Sequence, residues 1–345
     1  MSWHSIPPFY FPTTCVFVDD SSDFLANLSL QLDSQLSYKL FDSPIDALVT
    51  LNTQHREMTL AQKYFSRYRY VEDFSLSNHV IDLDLKKIHR EVYDEHRFEE
   101  VSVAVIDYVM PEIDGLEFCR QMKNPLIRKI LLTGKADEKF AVHAFNEGII
   151  DRFIRKNDAA ALTKLNQTIA ELQKEYFQTA QKALSDTLMV GTPRFLHDRQ
   201  FAALFRTLCA QNKTVEFYLC VNPDGMLLLD FNGNASLLIV YTEKDMQAQY
   251  EIAFDQAAPQ MLLDELKSGK VVPYFWPGDG HYGSAVIDWR AYLHPAQQFH
   301  GAEWYYYAIV PPSRLFGVQA ILSYGSFLEQ LDHQDQDTGF DLGKL

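Results

Sequence analysis

Asp19 and Asp20 end the apolar run TTCVFV (13–18), Asp107 ends VSVAVI (101–106), Thr133 follows Ile127–Leu132, and Lys156 lies just beyond DRFI (151–154). Three carboxylates sharing one crevice repel each other unless a cation lies among them. An all-oxygen ligand set suits a hard divalent ion that keeps waters for a phosphate, and this points to Mg2+. A hydroxyl and an ammonium opposite that ion would take the remaining oxygens of a phosphoryl group. Any one of these residues could be a cap or turn residue instead. Together, at the ends of four apolar runs, they make a pattern, and the chemistry it suggests is phosphoryl transfer.

Bringing these residues together requires strands whose carboxyl ends converge. The runs at 13–18, 101–106, 127–132 and 151–154, with a weaker one at Lys39–Phe41, are short and mostly apolar without alternation, as in parallel strands buried on both faces. Helical spacing separates them: Phe24, Leu25, Leu28 and Leu32 after a Ser21 or Ser22 cap, then Ser43-Pro44 to Leu51, Asp114 to Met122, and Lys135 to Phe145. Five β/α units predict a doubly wound α/β domain, a five-stranded parallel sheet with helices on both faces and its site beyond the carboxyl ends of the strands.

The segments VFVDDSSDF, VIDYVMPEIDGLEF, ILLTGKAD and DRFIRK resemble, in the right order over about residues 14–160, the signature segments of receiver domains in bacterial two-component response regulators. That resemblance implies that Asp107 is the phosphoacceptor. It implies that Asp19, Asp20, Asp107 and the backbone carbonyl of Val109 hold Mg2+, with Thr133 as switch hydroxyl, Lys156 as the phosphate-binding lysine and Phe153 as the switch aromatic. Pro111 and Gly115 match the loop after the phosphoacceptor. Two features depart from the family: Asn157 stands where most receivers have proline, and the stretch between Asp20 and Asp107 is longer than usual. The surplus, about residues 53–98, is polar and aromatic and carries His79, His89 and His96, whose spacing matches no common metal motif. The receiver is thus expected over 1–160, with this insertion inside it.

From Asn157 to Val190 there is neither Gly nor Pro, and Leu162, Leu165, Ile169, Leu172, Tyr176, Thr179 and Ala183 follow a 3-4 spacing. The repeat predicts a long connecting helix over 157–190, either the seam of a homodimeric coiled coil or one amphipathic helix lying on its own output domain. Residues 193–331 read as an α+β output domain: a helix at Phe195–Leu208, a hairpin at Val215–Phe231 turning at Pro223-Asp224-Gly225, further strands SLLIVYT and EWYYYAIV, helices near 245–254 and 259–266, and a closing helix at 315–331. Residues 332–345 are polar and acidic, as in a disordered tail.

The 345 residues carry 31 Lys plus Arg against 46 Asp plus Glu, a net charge of −15, and residues 193–345 alone hold 10 basic and 18 acidic side chains. Such a surface repels nucleic acid, and no helix-turn-helix with a basic recognition helix is present, so no DNA-binding output is expected. His197-Asp198 is similar to the metal dyad of HD-type phosphodiesterases but lacks the surrounding histidines, and GDGHYG (278–283) lacks the Lys and Ser/Thr of a P-loop. The four scattered cysteines, the absence of a long apolar run and a start without a basic, apolar leader pattern fit a cytoplasmic protein away from membranes. The expected function is a response regulator phosphorylated by a sensor histidine kinase or phosphotransfer protein, acting through protein or small-molecule interaction. The alternative is an output domain that is itself an enzyme or nucleotide-binding domain gated by the receiver.

Overall fold

The computed structural model describes residues 5–53, 62–69, 79–134, 138–188, 193–278, 280–312 and 321–337. The chain starts with a two-residue strand, β1 (Phe9–Tyr10), followed by β2 (Thr14–Val18), α1 (Ser22–Ser29), β3 (Tyr38–Phe41) and α2 (Pro44–Thr53). An antiparallel pair, β4 (Phe65–Arg69) and β5 (His79–Leu83), and short 3-10 turns then precede β6 (Val101–Asp107). The alternation resumes with α3 (Gly115–Gln121), β7 (Arg128–Thr133), α4 (Glu138–Asn146), β8 (Arg152–Arg155) and α5 (Ala161–Ala180).

Strands β3, β2, β6, β7 and β8 lie side by side in that order, all parallel. Every residue of β2 and of β6 is buried, which is why neither run alternates. Successive side chains still divide between the faces. Val16, Val18, Ala104 and Ile106 pack with Leu48, Phe118 and Ala141 of α2, α3 and α4. Cys15, Phe17, Val103 and Val105 pack with Leu25 and Leu28 of α1 and with Leu165, Ile169 and Leu172 of α5. Two helix starts are set by side chains: Ser21 accepts from the Phe24 amide at 3.2 Å, and Asp114 accepts from those of Leu116 and Glu117 at 2.9 Å.

The 3-4 repeat has its partner within the chain. Leu165, Ile169, Leu172 and Tyr176 are at most 2% exposed, with the first three on the sheet above and the Tyr176 hydroxyl donating to Glu100 at 2.5 Å. The helix also ends at Ala180, and α6 (Lys182–Leu188) starts anew after Gln181. A single helix over 157–190 and a coiled-coil seam on these residues are therefore both corrected: a seam already buried on its own sheet has no face left for a second copy.

A second sheet forms from β9 (Thr214–Val221), β10 (Asp224–Asp230), β11 (Ala235–Thr242), β14 (Gln297–His300) and β15 (Trp304–Val310), with β1 joining its far edge. The order is β1-β9-β10-β11-β15-β14, antiparallel throughout. On one face α7 (Arg199–Gln211) lays Phe201 against Tyr305 at 4.9 Å and Tyr307 at 6.2 Å, and Phe205 against Phe217 at 5.1 Å. Helices α8 (Glu243–Asp255) and α9 (Gln260–Ser268) enclose a separate cluster around Leu262, Leu266, Phe275 and Trp289. Strands β12 (Val271–Pro273) and β13 (Leu293–Pro295) pair separately, and α10 (Tyr324–Asp337) closes the described chain. That helix takes in residues 332–337, which the sequence assigns to a disordered tail; 338–345 lie outside the described residues.

The chain divides into two compact units, 12–63 with 96–182 and 326–345, and 1–11 with 64–95 and 183–325. Residues 1–11 and 64–95, which the sequence reading placed in the first domain, thus group with the second sheet. Among the described residues no helix is long and apolar enough to cross a membrane.

Candidate functional site

At the carboxyl end of the parallel sheet, β2 delivers Asp19 and Asp20, β6 ends in Asp107, β7 ends in Thr133, and Lys156 follows β8. The strand order puts β2, β6 and β7 next to each other, so their last residues converge without any long loop. Asp19, Asp107 and Thr133 are buried, at 2%, 6% and 0% exposure, while Asp20 is exposed. One carboxylate oxygen from each of Asp19, Asp20 and Asp107 lies within 4.8 Å of the others, the one such set among the described residues. Among the described residues neither His89 nor His96 of the insertion joins such a set, and His96 Nδ1 meets Glu99 at 2.9 Å; the side chain of His79 lies outside what the structure describes.

Lys156 supplies the positive charge inside this group. Its Nζ lies 2.7 Å from Asp19 Oδ2 and 2.9 Å from Asp107 Oδ1, and its amide donates to the Thr133 carbonyl at 2.9 Å. Burial opposes the charged form of the ammonium, but the hydrogen bonds to Asp19 and Asp107 outweigh it and raise the Lys156 pKa. Burial also raises the pKa of Asp107, assisted by the charge on Asp19 and opposed by Lys156. The other oxygen of Asp19 accepts from the Ser21 amide at 3.0 Å. A hard divalent cation fits this set, because three anionic oxygens converge and only two of the carboxylates touch the lysine.

The Thr133 hydroxyl is fully buried and has no hydrogen-bond partner. Gly115 opens α3 against β6: a Cβ there would stand 2.2 Å from the Asp107 carbonyl oxygen, so only glycine fits. Val109 lies two residues after Asp107 with its side chain 63% exposed, and Phe153 on β8 packs half-buried against the cluster on the α2–α4 face. Sequence reasoning missed Phe24, whose ring centroid is 4.4 Å from Lys156 Nζ. In sequence it is one more apolar position of α1, and nothing in its type or spacing signals a contact with a lysine far along the chain.

A family model described as the response regulator receiver domain matches residues 75–167, a segment that holds Asp107, Thr133 and Lys156. Among solved structures, the Legionella pneumophila response regulator LqsR is 42% identical, with 97% of this chain and 99% of that chain covered and a TM-score of 0.77. A receiver domain protein of Methanospirillum hungatei JF-1 is 16% identical over 49% of this chain and 98% of its own, with a TM-score of 0.32. An uncharacterised protein from Neptuniibacter caesariensis is 20% identical over 50% of this chain and 96% of its own, with a TM-score of 0.33. No curated protein matches the chain.

Proposed function

The chain belongs to the response-regulator family, and from that premise we propose that Asp107 accepts a phosphoryl group from a phosphohistidine on a sensor histidine kinase or phosphotransfer protein. The observation that carries this reading is the Lys156 ammonium shared between Asp19 and Asp107 beside a buried hydroxyl, Thr133, that has no partner.

A carboxylate oxygen of Asp107 attacks phosphorus as the P–N bond to the donor imidazole breaks, and the imidazole nitrogen takes up a proton as it leaves. The negative charge that arrives would bring Lys156 Nζ from Asp107 toward a phosphoryl oxygen while its contact with Asp19 holds the side chain in place. Thr133 has a donor free for a second phosphoryl oxygen, which ends the burial of an unsatisfied hydroxyl. Phe153, half-buried on the neighbouring strand, would turn inward behind it. Asp19, Asp20, Asp107 and the Val109 carbonyl would hold Mg2+, which when bound supplies positive charge against the phosphoryl oxygens.

The second unit is the output. Acidic side chains outnumber basic ones 21 to 14 over its residues 1–11, 64–95 and 183–325, which favours a protein or small molecule over DNA as its target. A homodimer through the 3-4 repeat of α5 is no part of this reading, since its central residues Leu165, Ile169, Leu172 and Tyr176 are buried within the chain. Incubation with acetyl phosphate and Mg2+ should add one phosphate per chain by intact mass, and Asp107→Asn should add none. Phosphate retained by that variant on another residue overturns the assignment.

A further inference from the structure

The ammonium of Lys156 has three neighbours: Asp19, Asp107 and the face of Phe24. The carboxylates attract it by charge and do not by themselves decide how the flexible four-carbon stem approaches them. Phe24 does. Its amide is fixed by the Ser21 hydroxyl in the first turn of α1, and its ring packs on the cluster of Leu25, Leu28, Ile154 and Leu165. The ring is thereby anchored at its base and on its side, with its face 4.4 Å from Nζ.

On that side of the site lies a groove of about 180 Å3 between α1 and α5, lined by Phe24, Lys156, Leu162, Leu165 and Asp158, whose carboxylate is held by Lys164 and the Ala160 amide. A lysine free of the ring could turn into this groove toward water, away from the phosphoacceptor. We propose that Phe24 is a positioning residue whose ring face keeps the Lys156 ammonium on Asp19 and Asp107 and out of the α1–α5 groove. The inference rests on the proposed phosphoryl transfer to Asp107, in which Lys156 meets the incoming group. A ring held in this way attracts the cation electrostatically and also keeps water from it.

The test compares Phe24→Leu, which keeps apolar volume and removes the π face, with Phe24→Tyr, which keeps the face. Full-length proteins are phosphorylated with acetyl phosphate and Mg2+ over a range of donor concentrations. Phe24→Leu should lower the saturated rate about fivefold, with the half-saturating concentration little changed, and Phe24→Tyr should restore it. In parallel, the Lys156 side-chain proton signals, assigned by their loss in Lys156→Arg, should move downfield in Phe24→Leu as the ring current is removed. Thermal unfolding checks that the fold is intact; Phe24→Met replaces Phe24→Leu if the latter does not fold. Wild-type rate and signals in the leucine variant, or a tyrosine variant as slow as leucine, overturn the proposal. A wild-type protein that takes up no phosphate removes the functional reading and this inference with it. Normal uptake by wild type and leucine variant alike removes this inference alone.

Discussion

Asp198 Oδ2 accepts the amide of Ala302 at 2.6 Å, joining the start of α7 to the loop before β15, while Oδ1 accepts the amides of Gln200 at 2.8 Å and Phe201 at 3.0 Å. The carboxylate that looks like half of a metal dyad beside His197 is a helix cap tied across the unit. Its pKa is lowered because, although burial raises it, hydrogen bonds from Ala302, Phe201, Gln200 and the Tyr305 hydroxyl together do more. Gly301 is held to glycine by the same contact, since a Cβ there would lie 2.2 Å from Asp198 Oδ2.

Asp198→Ala should therefore lower the unfolding free energy of the second unit by about 2–4 kcal/mol, the loss of a cap plus an unsatisfied amide. Because the folded-state pKa is depressed, the carboxylate's contribution is full above its unfolded value and fades as pH falls through the folded one. Urea melts of wild type and variant at neutral pH and at successively lower pH should converge toward the acid end. A constant difference across that range would show that the cap does not act through its charge.

Asp224 behaves in the opposite sense. Burial, with a contribution from the nearby charge of Asp245, pushes its carboxyl up to about 6. The native state then holds the proton more tightly than the unfolded state, so stability is lost as pH rises between roughly 4 and 6. Asp224→Asn should flatten that decline and leave the protein about 2 kcal/mol more stable than wild type at pH 8, with little difference at pH 4. The check is denaturant unfolding at both values. A variant that declines as steeply as wild type would assign the slope to other groups.

Residues 1–11 complete the second sheet. Phe9 and Phe11 are at most 2% exposed, Phe11 stacks on Tyr218 at 6.4 Å, and the Leu219 amide donates to the Pro8 carbonyl at 2.7 Å. Removing them uncovers the edge of β9 and deletes two buried aromatic side chains, at a cost of about 3–5 kcal/mol for each ring. A chain starting at Pro12 should lose protection of β9 amides in hydrogen exchange, while amides of β2 and β6 stay protected. Unchanged β9 protection would show that β1 only decorates the sheet.

The parallel sheet and its site were legible because they rest on local signals. β2 and β6 are short, buried, mostly apolar runs, and each stops at an aspartate, so strand and candidate site position are marked together. The contribution of β1 was not legible: two residues carry no periodicity, and FYFP gains its meaning only from pairing with Phe217 and Tyr218 far along the chain. The same holds for Phe24 and Asp198, where type and spacing fit an ordinary helix position or a metal ligand and tertiary contact decides. The 3-4 repeat of α5 misled for a related reason, since a helix buried on a sheet and a helix in a coiled coil show the same stripe.

Thr133 places an unsatisfied hydroxyl in the core beside Asp107. Its hydroxyl is buried without a partner in this structure, and such a group costs about 1–3 kcal/mol relative to a satisfied one. Thr133→Val keeps the shape of the side chain and removes the unsatisfied group, so the unphosphorylated variant should be about 1 kcal/mol more stable than wild type. If the proposed function holds, the ranking reverses when phosphate is present, because only threonine can donate to a phosphoryl oxygen. Thr133→Ser, which keeps the donor, should follow wild type in that second comparison. Unfolding free energies measured with and without acetyl phosphate and Mg2+ give both comparisons in one experiment. A valine variant that is less stable than wild type before phosphorylation would mean that the hydroxyl is satisfied in solution, and the argument from its isolation would fall.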